Sequence, residues 1–503
     1  MKKLALIIAA VALFAGCTKD YTAKIPAQFD DYCQKTLDQW HVPGMAVVVV
    51  KDGKTVFLKG YGYSDLEKQT PVDPCNTQYV IASTSKAFTG ALLATVIDEV
   101  EDLGWNDLVI KHLPDFKLYD PWATQNIMVK EIMAHHYGFK TYCMDDLPMF
   151  GYDRDDLYHM FGVIQPTYSF RSRYAYNNES YTIAAKIIEK YTGMSWDDAI
   201  AERIFKPLGM KNSTTGGKSF WTAENLAVPY NIRIAEGTKD SIEVYKREDR
   251  EEAFIWNSAV APAAFVMTTA EDMACWLKMH LNHGVAESGD TLITRANHDM
   301  LFYPQTITSM SEGRLCNYGQ GWTIEEGEEG RYIRHTGLAY GYTAIVGLVP
   351  DLDMGVAILT NNGATSDPQA AIVRQLISMY RGVKGKDFST EYLQEFIDSH
   401  SDDDDEEKVE EEKEPVKALP NKAYVGTYTK EVFGDAKVYE KDGALWFQLK
   451  KVDSELEHKD GNTFVFHVPG AGHFDLTFDV KGGKAASLTF DINDPIGDFR
   501  RIK

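Results

Sequence analysis

Cysteine is scarce in this chain, with 6 among 503 residues. Five of them, Cys33, Cys75, Cys143, Cys275 and Cys316, are scattered, odd in number and without CxxC spacing. That pattern indicates neither a disulfide framework nor a zinc site, and no metal or other cofactor is expected. Isolated core thiols are the simpler reading. Positive charge is also short: 52 Lys and Arg face 74 Asp and Glu, for a net charge of −22. A surface that acidic repels phosphate backbones, so nucleic acid is not an expected partner. Beyond residue 17 no apolar run is long enough to span a bilayer, and no internal repeat is visible.

The N-terminus carries a different signal. In MKKLALIIAAVALFAGC, two lysines precede a short apolar run that ends in small residues. This is the pattern of an export signal, not of a membrane helix. Its end, Phe14-Ala15-Gly16-Cys17, resembles a bacterial lipobox. The resemblance implies cleavage before Cys17 and a lipid on its thiol, hence a membrane-anchored envelope protein. Thr18 in place of an acidic residue points to the outer membrane.

The remaining chain divides by pattern. Residues 26–40 place Phe29, Tyr32, Cys33, Leu37 and Trp40 at helical spacing. Met45 to Val50 is an unbroken β-branched run, and Lys51-Asp52-Gly53-Lys54 predicts a hairpin turn into a second strand. Helix begins near Ser83. Strands return at residues 332–335, 342–348 and 354–360, followed by a helix over 368–381. Strands from both termini with helices between them predict an α+β domain over 25–382. It would be one antiparallel sheet flanked by terminal helices, with an inserted helical lobe. Residues 402–414 contain ten acids and two lysines. They predict an extended, solvated linker over 383–417. From 418 to 503, short aromatic strands alternate with Asp-Gly and Gly-Gly turns, which predicts a small all-β barrel or sandwich. A ligand-binding cup and a filled barrel are both open, and the many large strand residues favour the filled one.

Ser83-Thr84-Ser85-Lys86 is the single Ser-x-x-Lys in the chain. At a helix start the serine and lysine share a face, one turn apart. A buried lysine loses its proton readily and can accept one from serine. Helix N-terminal N–H groups can stabilise a developing oxyanion. Tyr176-Asn177-Asn178 and His335-Thr336-Gly337 follow at about 90 and about 250 residues, in the order known for penicillin-recognising serine enzymes. His135 and His136 suggest a metal pair, but adjacent helical residues diverge and no third ligand is evident.

With these motifs the chain resembles the class C β-lactamase-like serine hydrolases, the penicillin-binding-protein-like family of peptidases and esterases. The resemblance also covers VPGMAVVVVKDGKTVFLKGYG, VKEIMAHHYGF, YNNESYTIAAKIIEKYTG, PAAFVMTTAEDMACWL and YGQGW. It implies that Ser83 is the nucleophile and that Lys86 and Tyr176 share the proton transfers. Asn178 would hold a substrate group. His335, Thr336, Gly337 and Leu338 would line the site, with the Ser83 and Leu338 N–H groups as the oxyanion hole. His335 stands where a lysine would hold a substrate carboxylate, and imidazole is mostly neutral at pH 7. The expected substrate is therefore an amide or ester, such as a D-amino-acid-containing peptide from the cell wall or a small ester. A weak β-lactamase, or a non-catalytic sensor or binding lipoprotein on the same fold, are the alternatives. The C-terminal segment resembles the lipocalin-like barrel appended to some members.

Overall fold

The structure, a computed structural model, describes residues 25–401 and 416–503 apart from 239, 312, 328–329 and 493. The export segment with Cys17 and the acidic run 402–414 lie outside the described residues. Helix α1 (Phe29–Gln39) buries Phe29, Tyr32, Cys33 and Leu37. Strand β1 (Gly44–Lys51) then turns back as β2 (Lys54–Asp65). Asp52 and Gly53 make that turn at φ 48° and 70°, the left-handed pair that matches strand twist. A two-residue strand β3 (Thr70–Pro71) completes the N-terminal contribution.

Six further strands come from the late part of the domain: β4 (Thr306–Ser311), β5 (Arg314–Tyr318), β6 (Thr323–Gly327), β7 (Gly330–Ala339), β8 (Tyr342–Val349) and β9 (Met354–Thr360). The order across the sheet is β3-β2-β1-β9-β8-β7-β6-β5-β4. The two chain ends meet in the middle, where Ile358 pairs with Val47 on one side and Ile345 on the other. Strand alternation then splits β1 between two cores. Met45, Val47 and Val49 face α1 and the C-terminal helices, whereas Ala46, Val48 and Val50 face the helical lobe. Both faces are covered, which is why β1 reads as a continuous apolar run. In the lobe lie α2 (Ser85–Glu99), α3 (Ser180–Thr192) and α4 (Ala270–Leu281), the last packed on β1 and β9.

After α5 (Asp367–Tyr380) the structure departs from the expected linker. Residues Phe388–Ser401 form a helix, α6, in place of extended chain. Phe396 is buried, its ring 5.5 Å from that of Trp40, and the Ser389 N–H donates to the Tyr32 hydroxyl at 2.8 Å. The apolar faces of α1 and α5 leave room for a covering helix, and Phe388, Tyr392 and Phe396 recur at the spacing that provides one. The neighbouring acids masked that periodicity. Cys33, Cys75 and Cys143 are buried, and no disulfide is present among the described residues.

Nine strands between Gly426 and Arg501 form a nearly closed barrel. Its interior holds Tyr424, Tyr428, Phe447, Phe466, Phe478 and Phe490, and so it is filled. One further ring comes from outside the barrel. Phe150, on the short helix Leu147–Phe150 of the hydrolase-like domain, is fully buried among Phe466, Phe474 and Phe490.

Candidate active site

Ser83 stands on the single turn Ala82–Thr84 that leads into α2. The two-residue strand Tyr79–Val80 anchors this turn by pairing with Val266–Thr268. The chain then bends through Ala82, buried at φ 45°. Left-handed backbone costs an alanine roughly 1–2 kcal/mol, so strain is stored one residue before Ser83. Strand β7 crosses close over the turn. A Cβ on Gly337 would lie 2.1 Å from the Ile81 carbonyl oxygen and 3.0 Å from the Ser83 nitrogen. Only glycine permits that approach. Gly321, in the YGQGW segment, meets the other side: its Cβ would lie 2.5 Å from the Lys86 carbonyl.

Lys86 is fully buried. Its Nζ donates to Ser83 Oγ at 3.1 Å, Asn178 Oδ1 at 2.6 Å and the Ala263 carbonyl at 3.2 Å. Burial pulls the ammonium down to about 7, against the opposing charges of Asp145 and Glu179. The Tyr176 ring lies 4.6 Å from the same Nζ, and its phenol is close enough to Ser83 for the serine to oppose part of the burial effect on it. Burial holds this phenol well above its usual range, so it keeps its proton. Ser83, Lys86 and Tyr176 are thus brought together, as the three motifs implied.

The substrate-facing residues fare differently. Asn178 is buried and its amide is fully engaged: Oδ1 accepts from Lys86, and Nδ2 donates to both Asp145 oxygens at 3.0 and 2.9 Å. His335 is only 5% exposed. Its Nδ1 lies 2.6 Å from the Thr336 carbonyl oxygen, which makes Nδ1 the donor and leaves Nε2 to accept from the Tyr318 hydroxyl at 2.8 Å. Burial first, and the Lys86 charge second, push this imidazole down to about 3. It is neutral, as the sequence implied, but it braces the floor of the site and does not face an open cleft. Thr336 is half-buried and Gly337 buried, while Leu338 projects to solvent at the rim.

Four residues that the motifs did not single out complete the site. His135 is buried, accepts the Asn177 N–H on Nδ1 at 3.1 Å and lies 4.5 Å from the Tyr176 ring. Its neighbour His136 turns to Thr306 at 2.8 Å, so the two imidazoles do not converge. Tyr318 joins His335 to Tyr181. Glu179 is fully buried and accepts from Asn177 Nδ2 at 2.9 Å. Burial first, then the Asp145 charge, raise Glu179 well above the carboxylate range, while burial lifts Asp145 to about 6. The two carboxyl groups titrate as one coupled pair that shares a proton. Glu179 was legible as an acid inside the apolar YNNESYTIAA stretch. Asp145 sits in a loop with no pattern around it. Away from these residues, His283, His298 and Asp299 bring three donor atoms within 4.8 Å of one another, with Asp299 held by Arg295 at 2.9 Å.

A cavity of about 280 Å³ lies along the strand beyond Leu338, lined by Tyr340, Tyr342, Phe220, Arg247 and Arg250.

Comparison with known proteins identifies the family of the larger domain. The Beta-lactamase family model matches residues 29–378, and a domain of unknown function, DUF3471, matches 410–502. Protein flp of Staphylococcus aureus (strain MW2) is 26% identical over 345 residues, covering 66% of this chain and 62% of its own length. The chain thus spans under two thirds of that relative. Unguisins hydrolase ungD' of Aspergillus campestris is 26% identical over 375 residues, 72% of this chain and 66% of its own. Among solved structures, the octameric penicillin-binding protein homologue from Pyrococcus abyssi superposes with a TM-score of 0.58 at 18% identity, covering 92% of this chain and 97% of its own. The crystal structure of SurE gives 0.52 at 17% identity, over 94% of this chain and 98% of its own. A strained turn bearing Ser-x-x-Lys, a half-buried tyrosine ring beside the lysine and a glycine strand laid across the turn occur within the span of the family match, and the chain belongs to the Beta-lactamase family.

Proposed function

We propose that this protein hydrolyses an amide or ester through an acyl-enzyme on Ser83. The observation that carries the reading is the position of Ser83 Oγ, 3.1 Å from a buried lysine amine whose other side is covered by the Tyr176 ring at 4.6 Å. Lys86, held near neutrality, accepts the serine proton as Oγ attacks the carbonyl carbon. Tyr176 stays protonated and relays that proton to the departing amine or alcohol. The carbonyl oxygen, now an anion, is received by the N–H groups of Ser83 and Leu338. Water then attacks the ester by the reverse path, releasing acid and free Ser83. His335, Thr336 and Gly337 hold the strand that carries Leu338, and Asn178 fixes Lys86.

The neutral, buried His335 supports substrates not recognised by a carboxylate at that position. Similarity to a protein named as a hydrolase of unguisins supports an amide in a peptide, and a D-amino-acid-containing peptide or small ester fits this reading. The export segment supports a lipoprotein anchored through Cys17 in the bacterial outer membrane. Labelling with a fluorophosphonate, followed by a panel of esters, D-amino-acid amides and cephalosporins, tests the activity. Reaction with none of them would leave the binding-lipoprotein alternative standing.

A further inference from the structure

The segment from Tyr142 to Tyr152 touches the catalytic centre at one end and the barrel at the other. At the first end, Tyr142 N–H donates to the Tyr176 carbonyl at 2.8 Å and Asn177 Nδ2 donates to the Cys143 carbonyl at 2.9 Å. Both Asp145 carboxylate oxygens accept from the Asn178 amide whose oxygen holds Lys86, and the same carboxyl titrates together with Glu179. Five residues later Phe150 is buried in the barrel, its ring stacked on Phe490 at 5.6 Å and edge-on to Phe474 at 5.6 Å. The backbone is tied there as well: Lys451 N–H donates to the Phe150 carbonyl at 2.9 Å, and the Tyr152 hydroxyl donates to the Phe433 carbonyl at 2.8 Å. Gly151, at φ 95°, lets the chain leave against Lys451, where a Cβ would lie 2.7 Å from that side chain.

We propose that the barrel is a clamp on the catalytic centre: by gripping Phe150 it holds Asp145 against Asn178, making Asp145 and Phe150 positioning residues for Lys86. The inference rests on the reading of Ser83 and Lys86 given above. Two ends of a short segment cannot move independently when a one-turn helix joins them. If the barrel releases Phe150, Asp145 loses its register with Asn178. Lys86 then loses both the oriented amide oxygen and the opposing charge of Asp145, while Glu179, Tyr176, Tyr181, His135 and His335 remain around it. Removing an opposing charge favours the neutral amine, so Lys86 titrates at lower pH.

The test uses the full chain and the second-order rate of fluorophosphonate labelling as a function of pH. Asp145→Asn is expected to lower the plateau about 100-fold and to move the acid limb down by roughly one pH unit. Phe150→Ala should lower it about 10-fold or more with a shift of the same sign, and Phe150→Leu should restore most of the loss. In the Asp145→Asn background, Phe150→Ala should cost less than about threefold more, because both act through one contact. Phe474→Ala lies wholly within the barrel and should reproduce the shift if Phe150→Ala does not fold. Multiplying losses, or an unmoved acid limb in a folded Phe150→Ala or Phe474→Ala protein, would overturn the clamp. Labelling that survives Ser83→Ala would instead overturn the reading of the site.

Discussion

Lys86 is the residue on which the chemistry turns. With its ammonium at about 7, the fraction of neutral amine rises through neutrality. Acylation should therefore climb with pH, with an acid-limb midpoint near pH 7. Lys86→Ala should lower the plateau on the order of 1000-fold while the protein stays folded. Stopped-flow labelling between pH 5 and 9 measures both. A flat profile would mean that another group takes the serine proton. His335→Lys separates two views of that position. A lysine there faced substrate in the sequence reading, but the side chain is 5% exposed and both nitrogens are engaged. The substitution should cost stability, since it buries a second ammonium near Lys86, and should leave the preference between carboxylate-bearing and neutral substrates unchanged. A ratio of kcat/KM shifted toward carboxylates in a stable variant would contradict this.

Among the elements, strand β7 carries the tightest constraint. Gly337→Ala places a methyl group 2.1 Å from the Ile81 carbonyl oxygen. The strand or the Ser83 turn must move, at a cost of about 2 kcal/mol or more, and labelling should fall with the melting temperature. Helix α6 offers a second test. Phe396→Ala removes the ring over Trp40 and should destabilise the hydrolase-like domain by about 3–5 kcal/mol in denaturant unfolding, where an extended linker would lose nothing. These two elements also mark how far the sequence could be read. Ser83, Lys86, Tyr176 and the His335-Thr336-Gly337 strand were legible because each chemistry needs a short, contiguous spacing. The terminal hairpin was legible because β1 is buried on both faces. Helix α6 was not, since its apolar stripe abuts ten acids. Asp145 and His135 were not either, because only tertiary packing brings them to Tyr176 and Asn178.

The whole molecule joins the domains by more than chain connectivity. Short strands and turns made the barrel itself visible in sequence, and the acidic run suggested independence from it. Phe150 shows otherwise, because a ring from one domain completes the core of the other. Ending the chain after Ser401 would keep α6 over Trp40 but bare Phe150 to water. That truncated protein is expected to lose at least 10-fold in labelling rate, whereas a freely hinged barrel would leave the rate unchanged. The chemistry of the whole molecule stands on Ser83 being the acylated residue. Intact-mass spectrometry after fluorophosphonate treatment measures this most directly, with the modified peptide then sequenced. A single adduct on Ser83 is expected, absent from Ser83→Ala and strongly slowed in Lys86→Ala. An adduct of equal yield in Ser83→Ala, or one mapped to another serine, would contradict it.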